Sequence, residues 1–298
     1  MSAPPHLFCL GFGYTARAFA DRLRAQGWRI SGTTKSAEKH DAMQAAGVNA
    51  HLWSGGALAD SLIDGVDAIM VSTPPGPQSC PALKAAAPLI AARAKQLQWI
   101  GYLSTNGVYG DHGGAWVDEE SELRGASPRA LRRIAAEQAW LDLAREHDLP
   151  LIVFRLPGIY GPGRSAFDNI RAGTAKRIVK PGQVFSRMHV DDIAATLIAS
   201  MDKPRAHPVY NLADDEPAPP QDVVEYACKL LNVEPPPLTP IEEAGLSDMA
   251  RSFYADNKRV SNARMKHELG AALQYPTYRE GLSAILAAES FNPYTDDQ

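Results

Sequence analysis

Three glycine-spaced residues near the N-terminus carry the clearest chemistry in the chain. Gly11-Phe12-Gly13-Tyr14-Thr15-Ala16 fits the G-x-G-x-x-G/A pattern, after an apolar run (His6–Leu10) and before a helical one. Gly11 permits a tight turn, Gly13 lets backbone approach a pyrophosphate, and small Ala16 lets the helix pack closely on its strand. Free N–H groups and the positive dipole end at the helix start then hold an anion. The expected ligand is a dinucleotide, with Gly11, Phe12, Gly13, Tyr14 and Thr15 around it. About 20 positions on, an acid would mark NAD by accepting from the ribose 2′-hydroxyl. This chain has Gly32-Thr33-Thr34-Lys35-Ser36 there, with no acid. Thr34, Lys35 and Ser36 are donors, and Lys35 can pair with a 2′-phosphate, so the expectation is NADP, with NAD as the alternative. A solvated surface lysine is the other reading of Lys35.

Such a turn works only if the surrounding elements place it at the edge of a sheet. Strand-like runs occur at His6–Leu10, Trp28–Thr34, Val48–Leu52, Val66–Val71, Trp99–Ser104 and Leu151–Arg155. Helical spacing occupies 14–26, 36–46, 82–97 and 128–146, the last with Ser127 as N-cap and Pro128 at the first helical position. Strands alternating with helices at this spacing predict an α/β fold, a Rossmann-like doubly wound parallel sheet. Past residue 160, Glu216–Pro220 and Glu234–Pro240 interrupt the rhythm with proline. The expected organisation is a cofactor domain over 1–160, to which some later segments return. A smaller C-terminal substrate lobe follows, mainly 161–298.

Length and composition bound the rest. The chain has 298 residues, 45% of them apolar, enough for a large core. The net charge of −4 argues against a basic nucleic-acid binder. No apolar run reaches about 18 residues and no signal-like leader is present, so neither membrane nor secretion is expected and cytoplasm is the default. Cys9, Cys80 and Cys228 are widely spaced, which predicts neither a disulfide framework nor a metal site. G-x-S-x-G and P-loop patterns are absent, which argues against a hydrolase elbow and an ATP site.

Several further stretches together resemble the extended short-chain dehydrogenase/reductase superfamily, in its atypical NAD(P)-dependent epimerase/dehydratase-like branch. They are Leu103–Gly110 (LSTNGVYG), Phe154–Arg164 (FRLPGIYGPGR), Arg187–Ala194 (RMHVDDIA) and Asn257–Asn262 (NKRVSN), in that order along nearly the whole chain. The resemblance implies a catalytic Thr105 whose hydroxyl bonds a substrate oxygen. It implies Ser72, Thr73 and Pro74 beside the cofactor ribose, and Leu156, Pro157, Gly158 and Ile159 against the nicotinamide. Arg187 and His189 are implied near the lobe interface, with a structural role for His189 equally open.

The chain departs from that family at its Tyr-x-x-x-Lys pair. With Ala136-Glu137 fixing the register, the two positions are Arg129 and Arg133. An arginine stays protonated at any working pH, so Arg129 is a poor acid or base. Arg133 is expected at the cofactor ribose or phosphate and Arg129 at a substrate anion. A solvated helix face is the alternative for both. Tyr109 and Tyr160, in turns at strand ends, are the candidate replacements, Tyr109 as catalyst and Tyr160 at the substrate. Both are as easily structural. Trp53 either flanks the adenine or packs.

The implied function is an NAD(P)-dependent epimerase/dehydratase or reductase, acting on a polar carbonyl or nucleotide-sugar-like small molecule, as a monomer or homodimer. A non-catalytic NADP(H)-binding sensor is the second reading. The third is a scaffold that has lost its cofactor.

Overall fold

The computed structural model describes residues 3–203 and 206–290. Its centre is a seven-stranded parallel sheet. The strands are β1 (His6–Leu10), β2 (Arg29–Thr34), β3 (Asn49–Leu52), β4 (Ala68–Val71), β5 (Trp99–Thr105), β7 (Leu151–Leu156) and β11 (Val209–Asn211). Their spatial order is β11-β7-β5-β4-β1-β2-β3, and every pairing is parallel. All six expected strands are present. The seventh, β11, comes from beyond residue 160 and forms an edge.

Both faces of the sheet are buried, and the side-chain alternation of strands divides the core in two. Leu7 and Cys9 of β1, with Trp99 and Leu103 of β5, face one side. There α1 (Tyr14–Ala25) and α6 (Val190–Met201) cover them. Phe8 and Leu10, with Ile100 and Tyr102, face the other. There α3 (Pro81–Ala92) and α4 (Pro128–His147) lie. Helix α3 stops five residues short of the expected 97, because Arg93 already bonds back to Ile90 in a tightened last turn. Helix α2 (Ala37–Ala45) follows β2, capped by the Ser36 hydroxyl on the Lys39 N–H (3.2 Å).

One glycine in this core is there for space. The Trp99 indole folds over Gly101 and would collide with any Cβ placed there. Trp99 is fully buried, donates from Nε1 to Ser200 Oγ (2.9 Å) and packs on Phe19 and Phe154. Gly101→Ala must expel that ring, and overpacking of this kind costs about 3 kcal/mol. Urea unfolding checks it: a midpoint unchanged from the parent would show that Trp99 repacks freely.

The second lobe is built from short pieces. They are β8 (Gly158–Tyr160), α5 (Ala166–Arg171), β9 (Arg177–Val179), β10 (Arg187–His189), α7 (Pro220–Leu231), β12 (Leu238–Pro240), α8 (Asp248–Ala255) and α10 (Tyr278–Ser290). A separate apolar cluster of Tyr160, Phe167, Ala227, Tyr278, Leu282 and Ile285 holds it. Two bridging strands, β6 (Trp116–Val117) and β13 (Arg259–Val260), pair with each other, and α9 (Ala263–Leu269) returns to the sheet beside β11.

Candidate active site at the strand ends

The glycine turn is stitched to its neighbours. Gly11 has φ +89°, and its N–H donates to Thr33 Oγ1 (2.8 Å). Ser72 Oγ donates to Gly11 O (2.7 Å) and Thr73 Oγ1 to Leu10 O (2.9 Å). A Cβ on Gly11 would lie 2.8 Å from Thr73 Oγ1, so the close approach itself requires glycine. Gly32 is small for a related reason: the Phe12 ring occupies the space of its side chain. By contrast, a Cβ on Gly13 would point into open space. Gly13 caps α1 without a side-chain bond, and no acid sits in the first turn. That leaves free N–H groups facing an open cradle, which fits a pyrophosphate.

Two clefts meet at this turn. One, of 300 Å³, lies over the end of β2 and collects Gly11, Phe12, Thr34, Lys35, Ser36, Thr73 and Pro74. Lys39 and Trp53 complete it. Lys39 went unnoticed in the sequence, although it lies four residues from Lys35 at the start of α2, where the helix turns it back toward the cleft. Trp53 donates from Nε1 to Gly56 O (3.2 Å) and is mostly buried, so it is packed as well as lining. The other cleft, of 580 Å³, shares Gly13 and Ser72 with the first and crosses the ends of β5 and β7. Its walls bring together Tyr14, Thr15, Thr105, Arg129 and Arg133 with the Leu156-Pro157-Gly158-Ile159 segment.

Within the large cleft, Thr105 Oγ1 accepts from the Gly107 N–H (3.1 Å), leaving its O–H free to donate outward. Ser104 Oγ beside it is buried without a partner. Arg133 is braced on β5: its Nη1 donates to Leu103 O (3.0 Å) and Tyr102 Oη (3.4 Å). Arg129, one turn earlier, lies 6.0 Å over the Phe253 ring of α8 and so links the two lobes. Arg164 also lines the cleft and rests over the Tyr14 ring. Among the described residues lining it there are three arginines and no carboxylate. Ala250, Phe253 and Tyr254 roof it from α8. Their i, i+3, i+4 spacing was the signal available in the sequence for that face.

Four expected residues stand elsewhere. Tyr109 is fully buried, away from the cleft. Its hydroxyl donates to Asn211 Oδ1 (2.7 Å) and accepts from Arg155 Nη1 (2.9 Å), and burial pushes its pKa up to about 12. The tight turn over Asn106–Tyr109 aims the ring of this expected catalyst into the core, where it ties β7 to β11. Tyr160 is buried too, donating to Thr277 O (3.3 Å) with its ring edge-on to His189, and burial raises its pKa. It lines a side pocket rather than the large cleft. His189 lines neither; its Nδ1 accepts the Asp191 N–H (3.2 Å) and caps α6, and burial lowers its pKa. Arg187 lines the same side pocket as Tyr160.

Asp214, near Arg187, is 1% exposed, and burial pushes its pKa from 3.8 up to about 8. In that window the folded state holds a proton that the unfolded chain has lost. Stability through this residue therefore falls as pH rises from 3.8 to about 8, by about 1.4 kcal/mol per unit. Asp214→Asn should leave the melting temperature nearly unchanged at acid pH and raise it progressively toward pH 8. Parallel pH profiles for the two proteins would refute this.

Among the described residues no group of three His, Cys, Asp or Glu is placed to hold a metal ion, and no helix is long and apolar enough to cross a membrane. A solved structure of a functionally unknown conserved protein from Silicibacter pomeroyi DSS is 49% identical, with a TM-score of 0.88 over 96% of this chain and 99% of that one. Protein YeeZ of Escherichia coli (strain K12) is 27% identical over 90% of this chain and 95% of its own length. dTDP-glucose 4,6-dehydratase of Bacillus anthracis str. Ames, solved in complex with NAD, has the same fold. Its identity is 20% and its TM-score 0.73, over 98% of each chain. Residues 10–213 match the model of the NAD dependent epimerase/dehydratase family, and the chain belongs to that family.

Proposed function

We propose that the protein is an NADP-dependent enzyme of the epimerase/dehydratase or reductase kind, acting on a polar carbonyl or nucleotide-sugar-like small molecule. The observation that carries this is the pair of clefts joined at Gly13 and Ser72, with a glycine cradle at the join and Thr105 in the larger one. The N–H groups at the start of α1 would hold the pyrophosphate. Thr34, Lys35, Ser36 and Lys39 would surround the 2′-phosphate, and Ser72, Thr73 and Pro74 the adjoining ribose. Arg133 would donate to the second ribose, and Leu156 to Ile159 would back the nicotinamide. The bound dinucleotide supplies hydride chemistry at its nicotinamide. On the protein side, the Thr105 hydroxyl donates to the substrate oxygen, and Arg129 offsets negative charge developing there. Neither takes up a proton, so these two groups would stabilise the charge on the substrate oxygen while the proton it gains or loses is exchanged with water in the open cleft.

Fluorescence titration with NADPH and NADH tests the cofactor. NADPH should bind more tightly, and each of Lys35→Ser and Lys39→Ser should weaken it by about tenfold while leaving NADH unchanged. Equal losses for both dinucleotides would remove the 2′-phosphate argument. Substrate-dependent loss of NADPH absorbance across carbonyl compounds and nucleotide sugars tests turnover. A second reading, an NADP(H)-binding sensor without turnover, is favoured by Arg129 and Arg133 standing where the proton-transfer pair is expected.

A further inference from the structure

A side pocket of 230 Å³ opens from the large cleft, across the paired strands β8 and β10. The two share Gly158, Ile159, Phe185 and Ser186 as a common wall. Beyond that wall the lining is mostly apolar, formed by Tyr160 of β8, Ala166 at the start of α5, Val223 of α7, and Tyr278 and Leu282 of α10. One charge enters it, Arg187 of β10.

The Arg187 guanidinium lies 5.4 Å over the Tyr278 ring and donates from Nη2 to Ala218 O (3.3 Å). Its Nη1 is buried and has no hydrogen-bond partner. Arg187 forms no ion pair among the described residues. Asp214 is the acid that acts on it most, yet Asp214 Oδ2 is itself buried without a partner. Burial raises the pKa of the Asp214 carboxyl, and no ion pair joins it to the guanidinium. A half-buried cation without an ion pair is costly, and an anion beside the guanidinium in the pocket would offset its charge. At 230 Å³ against 580 Å³ for the adjoining cleft, the pocket suits a compact molecule. The apolar walls suit a body that an inorganic ion lacks.

We propose that this pocket receives a small organic acid, its carboxylate on the Arg187 guanidinium and its aromatic or branched aliphatic body against Val223, Tyr278 and Leu282. The substrate class of the adjoining cleft is then a compact carboxylic acid. This rests on the reading of that cleft as the substrate side of a dinucleotide site.

Calorimetric titration of the full chain with benzoate and with isovalerate, with NADPH present, tests it. Both acids should bind, and Arg187→Met should weaken them by at least about tenfold. Arg187→Lys should restore part of the loss. Val223→Trp fills the apolar end while keeping the charge, and should abolish benzoate binding. Benzyl alcohol binding as tightly as benzoate would overturn the proposal, as would acid binding that survives Arg187→Met. So would inorganic phosphate binding as tightly as the acids, or uridine diphosphate binding more tightly in an Arg187-dependent way. Failure of NADPH to bind, with benzoate still bound through Arg187, would overturn the dinucleotide reading and leave the acid pocket standing.

Discussion

Glu137→Ala should cost about 3–5 kcal/mol of stability, the largest loss expected from any single polar substitution in this chain. Glu137 on α4 is 2% exposed and Arg155 on β7 is 5% exposed. Arg155 donates to Glu137 Oε2 from Nε (3.1 Å) and from Nη2 (2.9 Å), and its Nη1 donates to Tyr109 Oη. Removing the carboxylate strands a guanidinium in the core, where desolvation is uncompensated. The effect reaches the site, because Arg133 and Arg129 lie one and two turns earlier on the same helix. Glu137→Gln keeps an acceptor and should lose less. Glu137→Leu with Arg155→Leu removes both charges and should recover much of the loss, since paired buried charges are often replaceable by apolar residues. Denaturant unfolding followed by tryptophan fluorescence measures all three. A loss below about 1 kcal/mol for Glu137→Ala would mean that water reaches Arg155.

The second large effect concerns the proposed chemistry. Thr105→Val keeps the shape of the side chain and removes the hydroxyl that accepts from Gly107 N–H and keeps its own hydrogen to donate in the large cleft. Loss of one such donor costs about a hundredfold in kcat. NADPH affinity should be unchanged, and Thr105→Ser should retain most of the rate. The change should appear in kcat and kcat/KM together, the signature of a bond made only in the transition state. Function persisting in Thr105→Val, with NADPH still bound, would select the sensor reading.

The parts of this molecule written in local spacing were legible in the sequence. The glycine turn between β1 and α1 is contiguous, and its chemistry depends on a backbone path of six residues. The six expected strands announced themselves through apolar runs, because a parallel sheet buried on both faces needs them. Lys39 was missed because a lysine at a helix start is ordinarily solvated, and only the proximity of the β2 end gives it meaning. Tyr109 shows the opposite case. Its position at a strand end is local information, but the direction of its ring is set by Arg155 and Asn211, which are distant in the chain.

By itself, then, the sequence determined the doubly wound sheet, the glycine turn between β1 and α1, and the spacing of Arg129 and Arg133 on α4. All three follow from residue types at short, regular spacing, where backbone geometry leaves few choices. Tertiary packing alone decided which arginine braces β5, which meets α8, and which lies in the side pocket without a partner for Nη1. A guanidinium on a long side chain takes its role from the carbonyls, rings and carboxylates that converge on it. Those neighbours are assembled only when distant segments fold together.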